Sequence, residues 1–267
     1  MARLVGTLRI GLDNISEDSY EKTAPGIGIG LSYPHTRRMI SSIAYVVERA
    51  SYEIKTAEYE YFEDPEGPVS YFMYRLTRDG TDDRINPTRG TYSWLRLEYG
   101  PKGGISHSSY FLAEISGTMH VPVTKRLGLA TNLSLGSATP ITPSVVLLPD
   151  KRFYAGGSTN HRGFERRKLG PLDENGMPLG GEVMMTAFAE IRFPLFWKFN
   201  GAAFVDAGQV WRTHKDFTWN NIEIAVGPAI RIMTPVGPLR FDLGYRLTDY
   251  EPSKPEYAFH FAIGYPM

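Results

Sequence analysis

The feature that most constrains the fold is a repeated alternation of large apolar residues with small or polar ones. It is clearest in YAFHFAIGY at 257–265, where every second residue is aromatic or aliphatic. Because successive side chains of a β-strand point to opposite sides, this period of two predicts a strand with one apolar face. The same pattern recurs in LRFDLGYR at 239–246, IEIAVGPAIRI at 222–232 and LGLATNLSL at 127–135. The chain is therefore predicted to be all-β.

Two architectures place an apolar face on every strand. A soluble β-sandwich buries this face in a core, whereas a transmembrane β-barrel turns it to lipid and encloses a polar lumen. Here the opposite face carries glycine and charges of both signs, and aromatic residues concentrate near segment ends, as in interfacial girdles. The segments are also about as long as a tilted membrane-spanning strand, and longer than most sandwich strands. The pattern favours an antiparallel transmembrane β-barrel, with the sandwich as the alternative.

About 13 alternating segments can be distinguished, and each is predicted to be a strand. They lie near 3–12, 24–33, 38–47, 50–62, 69–78, 90–99, 108–121, 125–135, 181–193, 199–212, 221–233, 237–248 and 256–265. Single-chain bacterial outer-membrane barrels have even strand numbers. An odd count therefore means either that one division between segments is wrong or that strands are missing.

The composition argues against several classes of function. The 29 basic residues are balanced by 29 acidic ones, which gives no reason to expect nucleic-acid binding. The absence of cysteine excludes thiolate catalysis and cysteine zinc sites, and the six histidines have no zinc-binding spacing, so neither a metal nor a cofactor is predicted. The longest uncharged run, 127–149, contains three prolines, which argue against a membrane-spanning helix. A hydrolase remains an alternative, because a catalytic triad can form from residues distant in sequence.

The longest turn-rich interval, about 136–180, contains GGSTNHRGFERRKLGP at 156–171. This stretch opens with Gly156 and Gly157 and places Arg162 beside Gly163 and Phe164. If the interval folded into a barrel, Arg162 would need a carboxylate partner, because a desolvated and unpaired guanidinium is strongly unfavourable. The alternative is that Arg162 is a solvated residue of a surface loop.

Glu190 and Asp206 are the candidate partners of Arg162. The alternation in MMTAFAEIRFPLF at 184–196 and in FNGAAFVDAGQVW at 199–211 places both carboxylates on the lumen face of adjacent strands. A guanidinium fork is suited to such a pair of carboxylates. In this hypothesis Gly163 lets the backbone pass close to the wall, and Phe164 anchors the tip of the loop.

FYAGGSTNHRGFERRKLGP at 153–171 resembles the characteristic loop of the BamA/TamA superfamily of outer-membrane assembly and translocation barrels, also known as the bacterial surface antigen family. In that family a long extracellular loop folds into the lumen, and its Arg-Gly-aromatic tip contacts an acidic residue in each of the next two strands. The segments AEIRFPL, FVDAGQVW, GPAIRIMTPVGPLRFDLGYRL and the closing FHFAIGYPM resemble the family's last strands, and DDRINPTRGTYSWLRLEYG resembles an earlier one. The resemblance covers residues 82–267, whereas 1–81 show only a general β pattern.

The resemblance implies an integral, multi-pass outer-membrane β-barrel of a Gram-negative-type envelope. The implied function is that of an assembly factor, an insertase or translocase that templates the insertion of substrate strands without covalent chemistry, and therefore not an enzyme. The templating seam would lie between the first and last strands, and the closing strand carries Phe259, Phe261, Ile263 and Gly264. Implied partners are nascent outer-membrane or secreted proteins, outer-membrane lipids, and accessory lipoproteins or periplasmic factors, without nucleic acid. The alternative is a passive pore or two-partner-secretion-type channel for a dedicated exported protein.

The chain departs from the family pattern in three places. His161 stands where a valine or isoleucine usually precedes the arginine, and the chain ends in Tyr-Pro-Met, where many members end in an aromatic residue. Family barrels have 16 strands, eleven of them before the loop, and are preceded by periplasmic POTRA domains, whereas eight strands are predicted before the loop here. The expectation is that 1–267 form a single barrel domain that lacks the first strands, the POTRA domains and a signal peptide.

Overall fold

Twelve antiparallel strands form one continuous sheet in the computed structural model, which describes residues 3–56, 66–101, 103, 106, 108–142, 147–234, 237–248 and 256–264. The strands are β1 (Val5–Ser16), β2 (Tyr20–Thr36), β3 (Met39–Ile54), β4 (Glu66–Asp79), β5 (Gly90–Gly100), β6 (Tyr110–Pro122), β7 (Gly128–Pro140), β8 (Val183–Pro194), β9 (Phe199–Trp211), β10 (Glu223–Thr234), β11 (Gly237–Arg246) and β12 (Tyr257–Ile263). Each strand pairs with its neighbours in sequence. Three short 3-10 turns, Pro149–Lys151, His214–Asp216 and Trp219–Asn221, lie in the connections. The predicted all-β, antiparallel class is confirmed.

None of the described segments is a helix long and apolar enough to cross a membrane.

The described residues contain twelve strands where the sequence predicted about thirteen. The segments predicted near 38–47 and 50–62 belong to one strand, β3, up to Ile54; residues 57–62 lie outside the described residues. The charged Glu48-Arg49 pair interrupts the apolar alternation and resembles a turn in the sequence. In the structure Glu48 is buried on the inner face and accepts a hydrogen bond from Lys22 Nζ at 2.6 Å. A partner across the sheet therefore stabilises a charge that sequence reasoning assigned to a turn.

The outward face of the sheet is apolar and exposed. Ile10 of β1 is 74% exposed, Ile29 of β2 57% and Phe259 of β12 64%. A β-sandwich would bury these side chains in its core, so that alternative does not fit the structure. A lipid-facing wall leaves them exposed, as observed.

The inner face of the sheet surrounds the connection between β7 and β8, residues 141–182, which we call the lumen loop. Arg166 of this loop binds Glu17, which follows β1, and the carbonyl oxygen of Arg162 accepts a hydrogen bond from His260 of β12. One connection thus reaches both edge strands, so the sheet curves around it. Within the described residues β1 and β12 are not paired with each other.

The connections alternate between the two ends of the sheet. The lumen loop lies at the same end as connections 17–19 and 212–222, and we call this the loop end. The connections 37–38, 80–89, 123–127 and 195–198 lie at the opposite end, the turn end. Apolar side chains of the lumen loop, among them Phe153, Phe164 and Leu169, pack against inner-face residues such as Tyr110 and Val210. The main buried core therefore lies inside the curved sheet.

Candidate functional site: the anchors of the lumen loop

The tip of the lumen loop is a tight turn that requires glycine. Gly156 and Gly157 have φ angles of +107° and +102°, a region that L-residues rarely adopt. A Cβ atom at Gly156 would lie 2.4 Å from the carbonyl oxygen of Glu165. The N–H of Gly157 donates to the carbonyl oxygens of His161 and Phe164, at 3.1 and 2.9 Å. These bonds hold residues 157–164 as one compact unit.

The tip lies directly against the wall of the sheet. A Cβ atom at Gly163 would come 2.5 Å from Cβ of Ala225 on β10. On the wall, a Cβ atom at Gly244 of β11 would come 2.0 Å from the carbonyl oxygen of Arg162. The close approach therefore needs a glycine on each side, and sequence reasoning singled out only the one in the loop.

Arg162 is bound by both carboxylates that the sequence pointed to. Its Nε and Nη2 donate to Asp206 Oδ2 and Oδ1 at 2.9 and 2.7 Å, and its backbone N–H donates to Oδ2 at 2.7 Å. Nη1 donates to Glu190 Oε2 at 2.6 Å. Arg162 is only 3% exposed, so it is not a solvated loop residue. The bidentate geometry fixes the direction of the side chain as well as its position.

The pairing of β8 with β9 explains how the two carboxylates meet. Phe188 lies opposite Asp206, and Glu190 lies opposite Phe204, so the two acids are diagonal neighbours on the inner face. The guanidinium carbon of Arg162 lies 3.4 Å from the centroid of the Phe204 ring. This cation–π contact adds to the ion pairs. Burial alone would lower the pKa of Arg162, but the hydrogen bonds and charges of Asp206 and Glu190 raise it above its ordinary value.

Three further arginines and a third carboxylate, Asp242, adjoin this group. Glu190 also accepts hydrogen bonds from Arg192 Nε at 2.7 Å and from Arg231 Nη2 at 2.5 Å. Arg240 donates to Asp242 at 2.7 Å and to the carbonyl oxygen of Ser158 in the loop at 2.8 Å. We call this group the arginine anchor; it consists of Arg162, Glu190, Arg192, Asp206, Arg231, Arg240 and Asp242. Its named members are four guanidinium groups and three carboxylates.

His161 is fully buried beside the arginine anchor. Its ring packs against Phe164 with the centroids 5.2 Å apart, and its Nε2–H donates to the carbonyl oxygen of Glu223 at 3.1 Å. Burial lowers the pKa of His161, which favours the neutral ring. A neutral imidazole is compact and can pack against an aromatic ring. It therefore fits the position where members of the family that this loop resembles usually have valine or isoleucine.

A second anchor, which sequence reasoning missed, holds the beginning of the lumen loop on the opposite wall. Asp150 accepts hydrogen bonds from Lys22 Nζ at 2.7 Å and from Tyr52 at 2.6 Å. Lys151 donates to Glu98 at 3.2 Å, and its ammonium lies 3.9 Å from the ring centroid of Tyr71. We call this group the lysine anchor; its charged members are Lys22, Glu48, Arg96, Glu98, Asp150 and Lys151. Burial would raise the pKa of Asp150, but the charges of Lys151 and Lys22 lower it.

A third contact ties the loop to the edge at β1. The guanidinium of Arg166 donates to both carboxylate oxygens of Glu17, at 2.7 and 2.8 Å, and Arg167 Nη1 lies 2.7 Å from Glu17. Arg167 has a φ of +65° and lies over the ring of Tyr154 at 3.6 Å. At the other edge, His260 Nε2–H donates to the carbonyl oxygen of Arg162 at 3.0 Å. The loop therefore spans the distance between the first and last described strands.

The closing strand presents its aromatic face outward. Phe259, Phe261 and Ile263 are each more than half exposed and lie opposite Leu243, Phe241 and Leu239 of β11. Gly264 follows β12 with a φ of +87°, which marks a change in backbone direction. The remaining residues of the predicted segment, from 265 onward, lie outside the described residues.

Comparison with known proteins decides the family. A family model described as the Omp85 superfamily domain matches residues 3–267. The chain belongs to the Omp85 superfamily. This confirms the resemblance found in the sequence, and with it the localisation as an integral β-barrel protein of the outer membrane.

Similar proteins match one region of longer chains. The outer membrane protein assembly factor BamA of Neisseria meningitidis serogroup B is 25% identical over 92% of this chain and 36% of its own length. BamA of Nitratidesulfovibrio vulgaris is 28% identical over 87% of this chain and 30% of its own length. The chain thus spans about a third of the length of these curated relatives.

Solved structures show the same fold at low identity. The crystal structure of BamA from Haemophilus ducreyi lacking POTRA domains 1–3 superposes with a TM-score of 0.80 at 16% identity, covering 97% of this chain and 58% of that one. CdiB from Acinetobacter baumannii superposes with a TM-score of 0.58 at 15% identity, covering 91% and 42%.

Proposed function

We propose that this chain is the barrel portion of an outer-membrane protein assembly factor, which templates the insertion of substrate β-strands into the outer membrane. The observation that carries the proposal is a lumen loop that buried ion pairs bind to both walls of the curved sheet. Family membership and the similarity to BamA proteins support it.

The proposed mechanism is strand addition at an edge. An unpaired backbone N–H or C=O group in hydrocarbon costs several kcal/mol, so a free strand does not enter the bilayer alone. The edge of the closing strand β12 offers backbone partners to a substrate strand before it faces lipid. No bond is made or broken in this process, so we propose a non-enzymatic function. The proposed substrates are nascent outer-membrane or secreted proteins. Outer-membrane lipids would surround the barrel, and accessory lipoproteins or periplasmic factors would be further partners.

In this proposal, the residues of the loop tip hold strands of the barrel wall in position from the inside. Gly156 and Gly157 shape the turn, and Gly163 and Phe164 seat it. Arg162 then joins β8 and β9 to the loop through Glu190 and Asp206. A wall held from inside keeps its shape when an edge is opened by a substrate. Phe259, Phe261 and Ile263 give the closing edge an apolar outer face, and Gly264 ends it.

The residues 1–267 are proposed to act as a single barrel domain within such a factor. Because the chain spans about a third of its curated relatives, the activity is tested directly on this chain. The folded chain is reconstituted into liposomes, and an unfolded outer-membrane β-barrel protein is diluted into them from urea. Folding of the substrate is followed by its heat-modifiable gel mobility. We expect faster substrate folding than in empty liposomes, and loss of the effect in Arg162→Ala but not in Lys168→Ala, which removes an exposed side chain that pairs with Glu165 within the loop.

A passive channel is the second candidate, and the observation that favours it is that the curved sheet surrounds the lumen loop on its inner face. In a channel the lumen loop acts as a plug. Single-channel recordings in planar bilayers separate the two functions. A large conductance that increases when the arginine anchor is broken, without faster folding of the substrate, would establish the channel and contradict the assembly function.

A further inference from the structure

A cavity of about 470 Å³ opens inside the sheet at the turn end, away from the tip of the lumen loop. Its walls come from connections 80–89 and 123–127 and from the ends of β6, β8, β9 and β10. The volume is in the range of sites for small ligands or short peptide segments. Neither the assembly function nor the loop anchors uses this space.

The lining of the cavity is basic. Lys125 and Arg126 lie at its exposed rim, and Arg192 and Arg231 lie at its inner end. None of the described lining residues is acidic. The nearby Asp82 is bound within its own connection, where its oxygens accept hydrogen bonds from Thr88 and from the backbone N–H of Arg89.

The arginine anchor adds to this positive field. Arg192 and Arg231, which both bind Glu190, belong to the anchor and also line the cavity. A guanidinium has five N–H donors, so it can bind more than one carboxylate. The cavity gives an anion access to these two arginines from the turn end.

His120 provides a second and independent observation. It lines the cavity and is only 3% exposed, yet its Nε2 has no hydrogen-bond partner among the described residues. Buried polar groups nearly always have a partner. Arg192 Nη1 lies 3.5 Å from His120 Nδ1, and since a guanidinium can only donate, Nδ1 accepts and Nε2 carries the hydrogen. His120 therefore offers an unused donor, as an anion site requires.

We propose that this cavity binds a carboxylate group carried by an extended peptide segment. Its donors His120 and Arg231 are buried on the inner face of the sheet, opposite the lipid-facing wall. The side-chain amides of Asn86 and Asn200 also line it and provide donors and acceptors that match a peptide backbone. The carboxylate lies between Arg192, Arg231 and His120, and Lys125 and Arg126 attract it at the rim.

The site does not depend on the assembly function proposed above, because it is defined by binding of a small anion. A channel would contain it equally. A negative result in the binding experiment would therefore leave the assembly function untouched, and a negative result in the substrate-folding experiment would leave the binding site untouched.

The test uses the whole folded chain in detergent micelles at constant ionic strength. The probes are the tripeptide N-acetyl-Ala-Glu-Ala-amide, the matched N-acetyl-Ala-Gln-Ala-amide, and inorganic phosphate, each titrated by calorimetry. We expect the glutamate peptide to bind at least about tenfold more tightly than the glutamine peptide, because a charge-assisted contact replaces a neutral one.

Two variants and one matched control locate the site. Lys125→Gln/Arg126→Gln removes the rim charges, and His120→Phe removes the unused donor while keeping a ring. The control, Arg37→Gln/Arg38→Gln, removes an adjacent basic pair from connection 37–38 at the same end, outside the cavity. We expect about tenfold weaker binding of the glutamate peptide in each of the two cavity variants, and unchanged binding in the control. Heat-modifiable gel mobility verifies folding of every variant.

Three results would overturn the proposal. Equal binding of the glutamate and glutamine peptides would exclude a carboxylate site. Unchanged binding of the glutamate peptide in both cavity variants, or an equal loss in the control, would place the binding elsewhere. Phosphate binding as tight as that of the glutamate peptide would show a general anion site without a role for the peptide.

Discussion

Both anchors attach the lumen loop to the inner face of the sheet, but they use different charged groups. The arginine anchor uses planar guanidinium groups, and Asp206 is bound by three N–H groups of the single residue Arg162. The lysine anchor uses two ammonium groups, in which Lys22 is shared between Glu48 and Asp150. A guanidinium fork fixes direction as well as distance, whereas an ammonium acts as a point charge. The loop is therefore oriented at its tip and held in place at its beginning.

The anchors also differ in their surroundings. In the lysine anchor Arg96 lies between Glu98 and Glu114, so a fourth carboxylate adjoins the three cations. The arginine anchor borders the cavity at the turn end, which Arg192 and Arg231 line. The proposed peptide site therefore lies beside only one of the two anchors.

The largest loss of stability is expected when Asp206, which binds the guanidinium of Arg162, is replaced. Asp206→Ala leaves Arg162 buried with only Glu190 to compensate it, and should lower the free energy of unfolding by about 3–5 kcal/mol. Urea unfolding of the chain in detergent measures the change. Glu165→Gln in the same loop is the control, because its side chain is exposed and Lys168 is its only ion-pair partner among the described residues; it should cost less than about 0.5 kcal/mol. Equal effects of the two changes would remove the distinction between a buried anchor and a surface pair.

A smaller effect is expected in the lysine anchor. In Asp150→Asn, Lys22 keeps Glu48 and Lys151 keeps Glu98, so each ammonium retains one partner. The expected loss is about 1–3 kcal/mol, because polar contacts are weakened and no cation is left unpaired. The same unfolding measurement applies. A loss larger than that of Asp206→Ala would reverse the proposed order of the anchors.

Acidification should weaken the lysine anchor. The pKa of Asp150 is lowered in the folded protein, so its contribution to stability is complete above the ordinary aspartate pKa of about 4 and is lost as the pH falls through the lower folded value. Wild type should therefore lose stability below about pH 4 more steeply than Asp150→Asn. Unfolding midpoints measured at pH steps between 6 and 2 test this. Parallel curves for the two proteins would show that Asp150 does not titrate as described.

The smallest effect is expected at the edge contact. Arg166→Gln removes the exposed half of this contact, because the Arg166 side chain is 68% exposed, and it leaves the less exposed Arg167 paired with Glu17. The expected loss is about 1 kcal/mol or less, because an exposed pair gains little. Thermal unfolding of the variant checks the value. A loss comparable to that of Asp150→Asn would make this contact a third anchor.

Sequence alone predicted the parts of the molecule that depend on local pattern. The alternation around Glu190 and Asp206 placed both carboxylates on one face, and the glycines around Arg162 marked a turn that could approach them. The lysine anchor could not be found in this way, because Asp150 lies in an irregular segment and its partner Lys22 is 128 residues away. The lumen-facing positions of Lys22, Glu48 and Glu98 were the only available indication. For β3, local charge suggested a break that the contact between Lys22 and Glu48 overrides.

The central claim is that Arg162 joins the lumen loop to two strands of the wall. A double-mutant cycle in detergent tests it directly, with Arg162→Ala, Asp206→Asn and Glu190→Gln singly and in pairs with Arg162→Ala, each measured by urea unfolding and heat-modifiable mobility. We predict a coupling energy of about 1 kcal/mol or more for each acid with Arg162, because contacting residues in one network are not additive. Simple additivity of both pairs would contradict the account, since it would mean that the arginine does not bind these carboxylates in the folded protein.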